Sequence, residues 1–218
     1  MVRMEHISTT RLPTVWGPFE LSMYRESSTN GVMREHLILG MGSWTRPGAV
    51  PLVRLHSECL TGDVFGSLRC DCGQQLHEAM RLIAREGAGA IVYLREEGRG
   101  IGLAAKLRAY GLQDQGLDTV EANVALGFAP DERNFAVAAE LLKISGVQSV
   151  RLMTNNPSKI EAVQKAGIEV VERIAMIPSV HSENRRYLQT KMEKMRHLLN
   201  FEGLQDPESD VLTPNGEG

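Results

Sequence analysis

The three cysteines of this chain, Cys59, Cys70 and Cys72, lie in one short stretch, and the rest of the sequence contains no other thiol. An odd number of thiols cannot all pair as disulfides, whereas a Cys-x-Cys pair with a third cysteine nearby can offer three thiolates to one metal ion. Zinc prefers four tetrahedral ligands, and three protein ligands leave the fourth position open, as in catalytic zinc sites. The simpler alternative is three unrelated free cysteines, and the clustering favours the metal site over it.

Three polar loops carry groups that can bind anions or bases. The first, 54–58, places a guanidinium, an imidazole, a hydroxyl and a carboxylate directly before Cys59. The second, 95–102, combines two arginines with three glycines, whose backbone amides can approach a phosphate at a helix N-terminus, although the spacing is neither G-x-G-x-x-G nor a P-loop. The third, 154–159, ends in Lys159. Capping of the helix that follows is an alternative role for Asn156 or Ser158 in this loop.

The elements that must position these loops change in type along the chain. Apolar or alternating runs between turn signals predict strands at 15–24, 33–39 and 51–56. From residue 73 onward, helical and strand patterns alternate. Helices are predicted to end at Gly87 and Gly146, to cover 157–166, and to start near Ser182 with one apolar face reaching Leu199; strands are predicted at 90–94, 150–153 and 168–174. The predicted fold class is α/β, a layered mixed β-sheet with flanking helices and a β-rich antiparallel N-terminal part.

Composition bounds the class of protein. With 218 residues, 42% hydrophobic and 23% charged, the chain is an ordinary globular protein. No apolar run approaches the ~18 residues of a membrane span, and the N-terminus lacks the apolar core of a secretory signal, so we expect a cytoplasmic protein without a membrane partner. A net charge of -3 argues against nucleic acid as a partner. We expect one domain over 1–200 and a disordered acidic tail over 201–218.

Taken together, these segments resemble GTP cyclohydrolase II, the zinc enzyme that opens riboflavin synthesis. The resemblance runs from about Leu12 to about Leu199 and rests on stretches in the same order, namely Val53–Asp63, Ser67–Gly73, Glu97–Leu103, Leu107–Asp114, Asp118–Asn123 and Leu152–Lys159. It implies GTP as a small-molecule substrate, one Zn²⁺ per chain, Mg²⁺ with the GTP phosphates, and a homodimer of a stand-alone catalytic domain.

The resemblance also assigns roles to residues. The three cysteines match the zinc ligands of the family, and Tyr110 matches a tyrosine implicated in its ring-opening chemistry. Asp131 matches its proposed general base, and Arg133 matches its proposed nucleophile at the α-phosphate. The residues that match its GTP contacts are Arg54, Leu55, His56, Ser57, Glu58, Gln75, Glu97, Gly98, Arg99, Thr119, Thr154 and Lys159. On its residues alone, Asp131 would be a cap of the helix predicted at 135–144. Because a guanidinium is a poor nucleophile, a charge clamp remains the alternative role for Arg133.

The reaction implied releases formate and pyrophosphate from GTP and leaves 2,5-diamino-6-(5-phospho-ribosylamino)pyrimidin-4-one. Three thiolates give a zinc site a formal charge of about -1, a weak Lewis acid compared with imidazole-ligated zinc, so a further group must share the proton transfer. Glu58, His56 and Tyr110 are the candidates. Three alternatives stay open: an enzyme that stops at the formamidopyrimidine, a zinc- and GTP-binding regulator without turnover, and a structural zinc domain with His56 as the fourth ligand.

Overall fold

One mixed sheet organises the chain in a computed structural model that describes residues 3–27, 31 and 33–199. Its seven strands are β1 (Arg3–Thr14), β2 (Gly17–Ser27), β3 (Met33–Met41), β4 (Leu52–Ser57), β5 (Gly89–Leu94), β6 (Ser149–Met153) and β7 (Glu169–Ile174). They lie in the order β1-β2-β3-β5-β4-β6-β7. The pairs from β1 to β5 are antiparallel, and β5, β4, β6 and β7 are parallel. The predicted α/β fold class, with an antiparallel N-terminal part, is confirmed.

The helices follow from local signals in the sequence. They are α1 (Leu60–Asp63), α2 (Cys72–Glu86), α3 (Gly102–Asp114), α4 (Thr119–Ala125), α5 (Ala136–Ile144), α6 (Pro157–Lys165) and α7 (Ser182–Glu193), with a 3-10 turn at Glu97–Gly100. Helix α2 ends at Gly87, whose φ of 77° suits a residue without a Cβ. Helix α6 has Pro157 in its first turn and a cap at Asn156, whose side chain accepts from the Ser158 amide.

Two sequence predictions differ from the structure, and one strand was not predicted. Strand β1 was not predicted because nearly all of its side chains are exposed, so it lacks the alternation that marks a half-buried strand. Helix α7 ends at Glu193, before Leu199, and Arg196 beyond it has a φ of 54°, outside the right-handed helical region. Asp131 does not cap α5, which begins at Ala136 with Phe135 as its N-cap residue. The predicted tail, 201–218, lies outside the described residues.

The central strand β4 separates two apolar cores because successive side chains point to opposite faces. Leu52 packs on one face with Ile83 of α2. Val53 and Leu55 pack on the other face with Leu141 and other residues of α5 and α6. The same alternation sends the side chains of residues 54 and 56 to the α2 face. Among the described residues, no helix combines the length and hydropathy needed to cross a membrane.

Candidate active site

The candidate site lies where the parallel strands end. Strands β4, β5 and β6 run side by side in the same direction, so their carboxyl ends meet at one edge of the sheet. In open α/β sheets, ligands bind in the crevice outside this edge. The segments that follow the three strands are 58–72, 95–101 and 154–156. They include the second predicted loop and the start of the third, whereas residues 54–57 of the first predicted loop lie in strand β4 itself. Residues of all three loops line one cleft.

The thiol sulfurs of Cys59, Cys70 and Cys72 lie within 4.8 Å of one another. The Sγ atoms of Cys59 and Cys70 are 3.6 Å apart. Hydrogen bonds from the other two cysteines, and the nearby Lys106 ammonium, lower the pKa of Cys59, while the hydrogen bond with Cys59 raises the pKa of Cys70 to about 11. Three converging thiols fit a soft or borderline ion such as zinc. Within residues 3–27, 31 and 33–199, they form the one group of three or more His, Cys, Asp or Glu with this spacing.

Gly62 makes this convergence of sulfurs possible. A Cβ built on it would lie 2.9 Å from the Cys70 Sγ and 3.1 Å from the Cys59 Sγ, closer than ordinary van der Waals contact. Gly73 in turn allows the start of α2 to approach, because a Cβ there would lie 2.2 Å from the Gly62 carbonyl oxygen. The turn at α1 and the start of α2 are therefore packed backbone to backbone around the thiols.

His56 is held by a buried carboxylate rather than by the cysteines. Its Nε2 lies 3.0 and 3.1 Å from the two oxygens of Asp63, which also accept from the Tyr93 hydroxyl at 2.8 Å and the Cys59 amide at 3.0 Å. Burial lowers the pKa of His56 despite the hydrogen bond to Asp63. A neutral ring that donates through Nε2 leaves Nδ1 as an acceptor, and that atom is buried without a hydrogen-bond partner. The hydrogen bond to Asp63 therefore occupies His56 Nε2.

Tyr110 approaches the thiols through a hydroxyl. Its OH lies 3.1 Å from the Thr61 Oγ1, which lies 3.7 Å from the Cys59 Sγ. The guanidinium of Arg69 stacks over the tyrosine ring, 4.9 Å from its centroid. Burial raises the pKa of Tyr110, so its hydroxyl keeps its proton at neutral pH and can donate a hydrogen bond.

A second group of residues brings positive charges together in the same cleft. Arg54 is buried and donates to the Met153 carbonyl at 3.1 Å and to the Gln75 side chain. Lys159 is 5% exposed, and its Nζ donates to the Leu55 carbonyl at 2.7 Å. Burial, followed by repulsion from Arg54, Arg133 and other cations, lowers the pKa of Lys159 well below its usual value. Among the described residues, no carboxylate lies within 4.0 Å of the Lys159 Nζ, so an anion bound in the cleft would be its first close negative partner.

Asp131 and Arg133 form a two-point ion pair. The Asp131 carboxylate accepts from the Arg133 backbone amide at 3.1 Å, from its Nε at 2.8 Å and from an Nη. Burial alone would raise the pKa of Asp131 and lower that of Arg133; the pair reverses both shifts, so that the carboxyl pKa is lowered and the guanidinium pKa is raised. The geometry therefore stabilises the charged form of both side chains.

The turn at Glu97–Gly100 has an unusual backbone. Gly98 and Arg99 both have left-handed φ angles, 64° and 61°, and this conformation is strained for an arginine. The Arg99 guanidinium contacts two residues near the C-terminus, with Nη1 2.8 Å from the Met195 Sδ and the group 5.7 Å from the Tyr187 ring. Its Nη2 is buried without a hydrogen-bond partner. Strain and an unpaired buried donor at one residue are typical of a binding site.

The structure brings most of the predicted site residues to this cleft, namely Arg54, His56, Ser57, Glu58, Cys59, Cys70, Cys72, Gln75, Glu97, Gly98, Arg99, Tyr110, Thr119, Arg133, Thr154 and Lys159. Two lie elsewhere. The Leu55 side chain is fully buried in the core, and its carbonyl accepts from Lys159. Asp131 reaches the cleft through its ion pair with Arg133.

Several residues of the cleft were missed from the sequence, namely Arg69, Asp71, Lys106, Tyr187, Lys191 and His197. Asp71 and Lys191 form a buried ion pair with an Oδ1–Nζ distance of 2.6 Å, although 120 residues separate them along the chain. No local sequence pattern predicts such a pair. Lys106 had a weak signal, because it lies one helical turn before Tyr110 on α3.

Comparison with known proteins gives one family model and several relatives of the same name. The sequence model of the family described as GTP cyclohydrolase II matches residues 5–175. The GTP cyclohydrolase-2 of Neisseria meningitidis serogroup B is 52% identical over 196 residues, which cover 90% of this chain and 97% of that protein. The GTP cyclohydrolase-2 of Pasteurella multocida is 48% identical over 199 residues, which cover 91% of this chain and 90% of that protein. A crystal structure of RibBX, a two domain 3,4-dihydroxy-2-butanone 4-phosphate synthase from A. baumannii, aligns with a TM-score of 0.44 and 21% identity, covering 79% of this chain and 40% of that one.

Proposed function

Because this chain belongs to the GTP cyclohydrolase II family, a family of hydrolases that act on GTP in riboflavin biosynthesis, we propose that it catalyses the full cyclohydrolase II reaction. In that reaction GTP yields formate, pyrophosphate and 2,5-diamino-6-(5-phospho-ribosylamino)pyrimidin-4-one, the first step of the pathway. The observation that carries the proposal is the meeting of two groups in one cleft: three converging thiols and a set of buried cations. The first suits a catalytic metal, and the second suits a polyphosphate.

The metal site would be formed by Cys59, Cys70 and Cys72. Bound there, Zn²⁺ would supply Lewis-acid activation of water for the attack on the imidazole carbon of guanine. His56 is unsuited as a fourth ligand, because its Nε2 donates to Asp63 and neither of its ring nitrogens joins the group of three sulfurs that lie within 4.8 Å of one another. The set of three protein ligands thus supports a catalytic rather than a structural site.

The chain's own side chains would handle the protons of the ring opening. We assign the Tyr110 hydroxyl, which keeps its proton, as a donor to the base as the ring opens. The unpartnered Nδ1 of neutral His56 is an acceptor suited to an N–H or O–H of the substrate. Glu58 lines the same cleft, where Arg95 holds its carboxylate at 2.9 Å. The remaining contacts to the base and ribose are assigned to Ser57, Gln75, Glu97, Gly98, Thr119 and Thr154.

The phosphates would bind among Arg54, Arg99, Arg133 and Lys159. Guanidinium groups bind phosphate oxygens through paired N–H donors, and a buried ammonium adds an undirected charge. A triphosphate would supply the counter-charge that Lys159 lacks in the ligand-free chain. We also assign Mg²⁺ to the phosphates, following the family resemblance.

The ion pair of Asp131 with Arg133 supports a clamp rather than a nucleophile. A nucleophilic guanidinium must lose a proton, and the carboxylate would have to accept it. The pair shifts both pKa values in the opposite sense, since that of Arg133 is raised and that of Asp131 is lowered. Transfer of the proton is therefore made harder by the contact itself. We assign Arg133 to the negative charge that develops as pyrophosphate leaves, and Asp131 to its orientation.

A homodimer in the cytoplasm completes the proposal, again on the family resemblance. Analytical ultracentrifugation of the purified chain tests the oligomeric state directly. A monomer at the concentrations used for catalysis would contradict the dimer without touching the proposed reaction.

Product analysis tests the function. The purified chain, incubated with GTP, Zn²⁺ and Mg²⁺, should give the diaminopyrimidine, formate and pyrophosphate by mass spectrometry. A product that keeps the formyl group would instead indicate the enzyme that stops at the formamidopyrimidine. Bound but unchanged GTP would indicate the regulator, and metal binding without any GTP binding would indicate a structural zinc domain.

A further inference from the structure

Lys106 occupies a position between the thiol cluster and the polar turn that begins at Glu97. It lies on α3, is 8% exposed, and its Nζ is 3.2 Å from the Cys59 Sγ and 2.8 Å from the Glu97 Oε1. Its ammonium also lies 5.7 Å from the centroid of the Tyr110 ring. Within residues 33–199, no other ammonium or guanidinium lies within hydrogen-bonding distance of a cysteine sulfur.

A simple ion pair with Glu97 does not account for this placement. The Glu97 carboxylate already accepts from the Leu60 amide at 2.6 Å and from the Gly98 amide at 2.7 Å, so the turn is anchored without the lysine. The turn also makes room for Lys106, because a Cβ on Gly98 would lie 3.0 Å from the Lys106 Cβ. Burying an ammonium carries a desolvation cost that its partners must offset, and here the ammonium is aimed at a sulfur as well as at a carboxylate.

The charge of the thiol site explains what such a lysine does. Three thiolates around a divalent ion carry a formal charge of about -1, and donation from the sulfurs weakens the Lewis acidity of the ion. An N–H donor on one sulfur withdraws electron density from it, and the positive charge of the ammonium offsets the formal negative charge. Groups that hydrogen-bond to metal ligands tune a site in this way, and their loss costs about 10- to 100-fold in metal affinity or activity.

We propose that Lys106 is a positioning residue of the metal site, which donates a hydrogen bond to the Cys59 thiolate, neutralises the three-thiolate centre and thereby supports the ring-opening half of the reaction. The inference rests on the proposed function, because it requires a metal ion at the three cysteines. It adds to that function a residue outside the cysteines and the proposed substrate contacts. It also answers how a site with three thiolates activates water well enough for hydrolysis.

Cobalt substitution gives a readout that does not depend on turnover. In the Co²⁺-loaded chain, the thiolate-to-metal charge-transfer band should move to lower energy in Lys106→Met, because a sulfur without the hydrogen bond donates more readily. Lys106→Arg, which keeps an N–H donor and the charge, should stay close to the wild-type band. Lys165→Met is the matched control, since it removes the same charge from a lysine whose side chain is 80% exposed on α6.

Single-turnover assays locate the effect within the reaction. In Lys106→Met, formate release should slow by about 10- to 100-fold, while the release of pyrophosphate changes much less, and Lys106→Arg should recover most of the rate of formate release. Loss of both releases together would indicate a general collapse of the cleft and would overturn the proposal, as would an unshifted cobalt band in a folded Lys106→Met chain.

Two further outcomes keep the tests separable. A wild-type chain that takes up no cobalt and no zinc would overturn the proposed metal site itself, not the role of Lys106 alone. If Lys106→Met does not fold, Lys106→Gln replaces it, because glutamine keeps an N–H donor without the charge. Lys106→Gln should show part of the band shift and part of the rate loss; a wild-type band and rate in that variant would contradict the proposal.

Discussion

Replacing Lys159 by methionine should stabilise the ligand-free protein and weaken its binding of phosphates. The Lys159 ammonium is 5% exposed and close enough to Arg54, Arg133 and Lys191 for their charges to lower its pKa. Methionine has a similar length and no charge, so the substitution removes both the burial cost and the repulsion. It also removes the hydrogen bond from Nζ to the Leu55 carbonyl, which limits the gain.

The magnitudes follow from comparable buried charges. Apolar replacement of buried ionic groups in other proteins is neutral or stabilises by about 1 to 4 kcal/mol. With one hydrogen bond lost, we expect a gain of about 1 kcal/mol, which raises the Tm of a chain of this length by about 2 to 4 °C. In the complex, a hydrogen bond from a charged group contributes about 1.5 to 3 kcal/mol, so the Kd for a phosphate ligand should rise about 10- to 100-fold.

The gain in stability should depend on pH in a defined direction. Because burial and neighbouring cations lower the pKa of Lys159, the folded state releases this proton at a lower pH than the unfolded chain. The unfolded state therefore binds more protons between the two pKa values, and wild-type stability from this group rises with pH in that range. The advantage of Lys159→Met should be largest below the folded pKa of Lys159 and should shrink as the pH rises toward that of an unfolded lysine.

Calorimetry measures both the expected gain in stability and the expected loss of phosphate binding. Scanning calorimetry of the ligand-free chains gives the change in Tm, and titration with pyrophosphate gives the change in Kd without turnover. Lys165→Met, on the same helix but exposed, should change neither quantity. A Lys159→Met chain that melts lower than the wild type would show that the lysine is there for stability. Unchanged pyrophosphate binding would refute the assignment of the cationic group to phosphates.

Two other substitutions test the two ends of the cleft. Arg133→Lys should slow pyrophosphate release by about 100-fold without abolishing it, as expected for the loss of one of two donors in a charge clamp; a covalent guanylyl adduct that can be trapped on the wild-type chain and not on the variant would contradict this. Gly62→Ala should reduce the zinc content below the expected value of about one per chain, measured by elemental analysis, because the new Cβ would crowd the sulfurs of Cys59 and Cys70. Gly111→Ala, which has nothing within 4 Å, should leave the zinc content unchanged, and full zinc in the Gly62 variant would refute the crowding argument.

Local patterns in the sequence were sufficient for the elements that form the site. Strand β5 is a continuous apolar run because both of its faces are covered, and β4 is buried over residues 52–56 although Arg54 and His56 interrupt its apolar residues. Once they are recognised as parallel, the loops that follow them must meet at one edge. The proximity of Cys59 to the turn at Glu97–Gly100 was therefore predictable without any knowledge of side-chain contacts.

Contacts that depend on packing between distant segments were not predictable. The pairing of Asp71 with Lys191 depends on how α7 packs against the start of α2, and nothing in the sequence around either residue links the two. Strand β1 was not predicted from the sequence for a related reason. Its pairing with β2 runs from Arg3 opposite Ser27 to Thr14 opposite Gly17, and backbone hydrogen bonds, not an apolar face, define it.

The cleft gathers features that cost stability and that no packing requirement explains. Three thiols converge around a glycine, Lys159 is buried without a carboxylate, and Arg99 has a left-handed backbone with an unpaired buried nitrogen. Outside the cleft, the buried pair of His36 with Glu26 shows the usual arrangement, in which a buried polar side chain has a direct partner. Sequences that fold well satisfy local and global requirements together, and departures from this rule are expected where function imposes them. The same reasoning explains why the Lys159→Met substitution should separate stability from ligand binding: a group that destabilises the empty protein is retained because the bound ligand requires it.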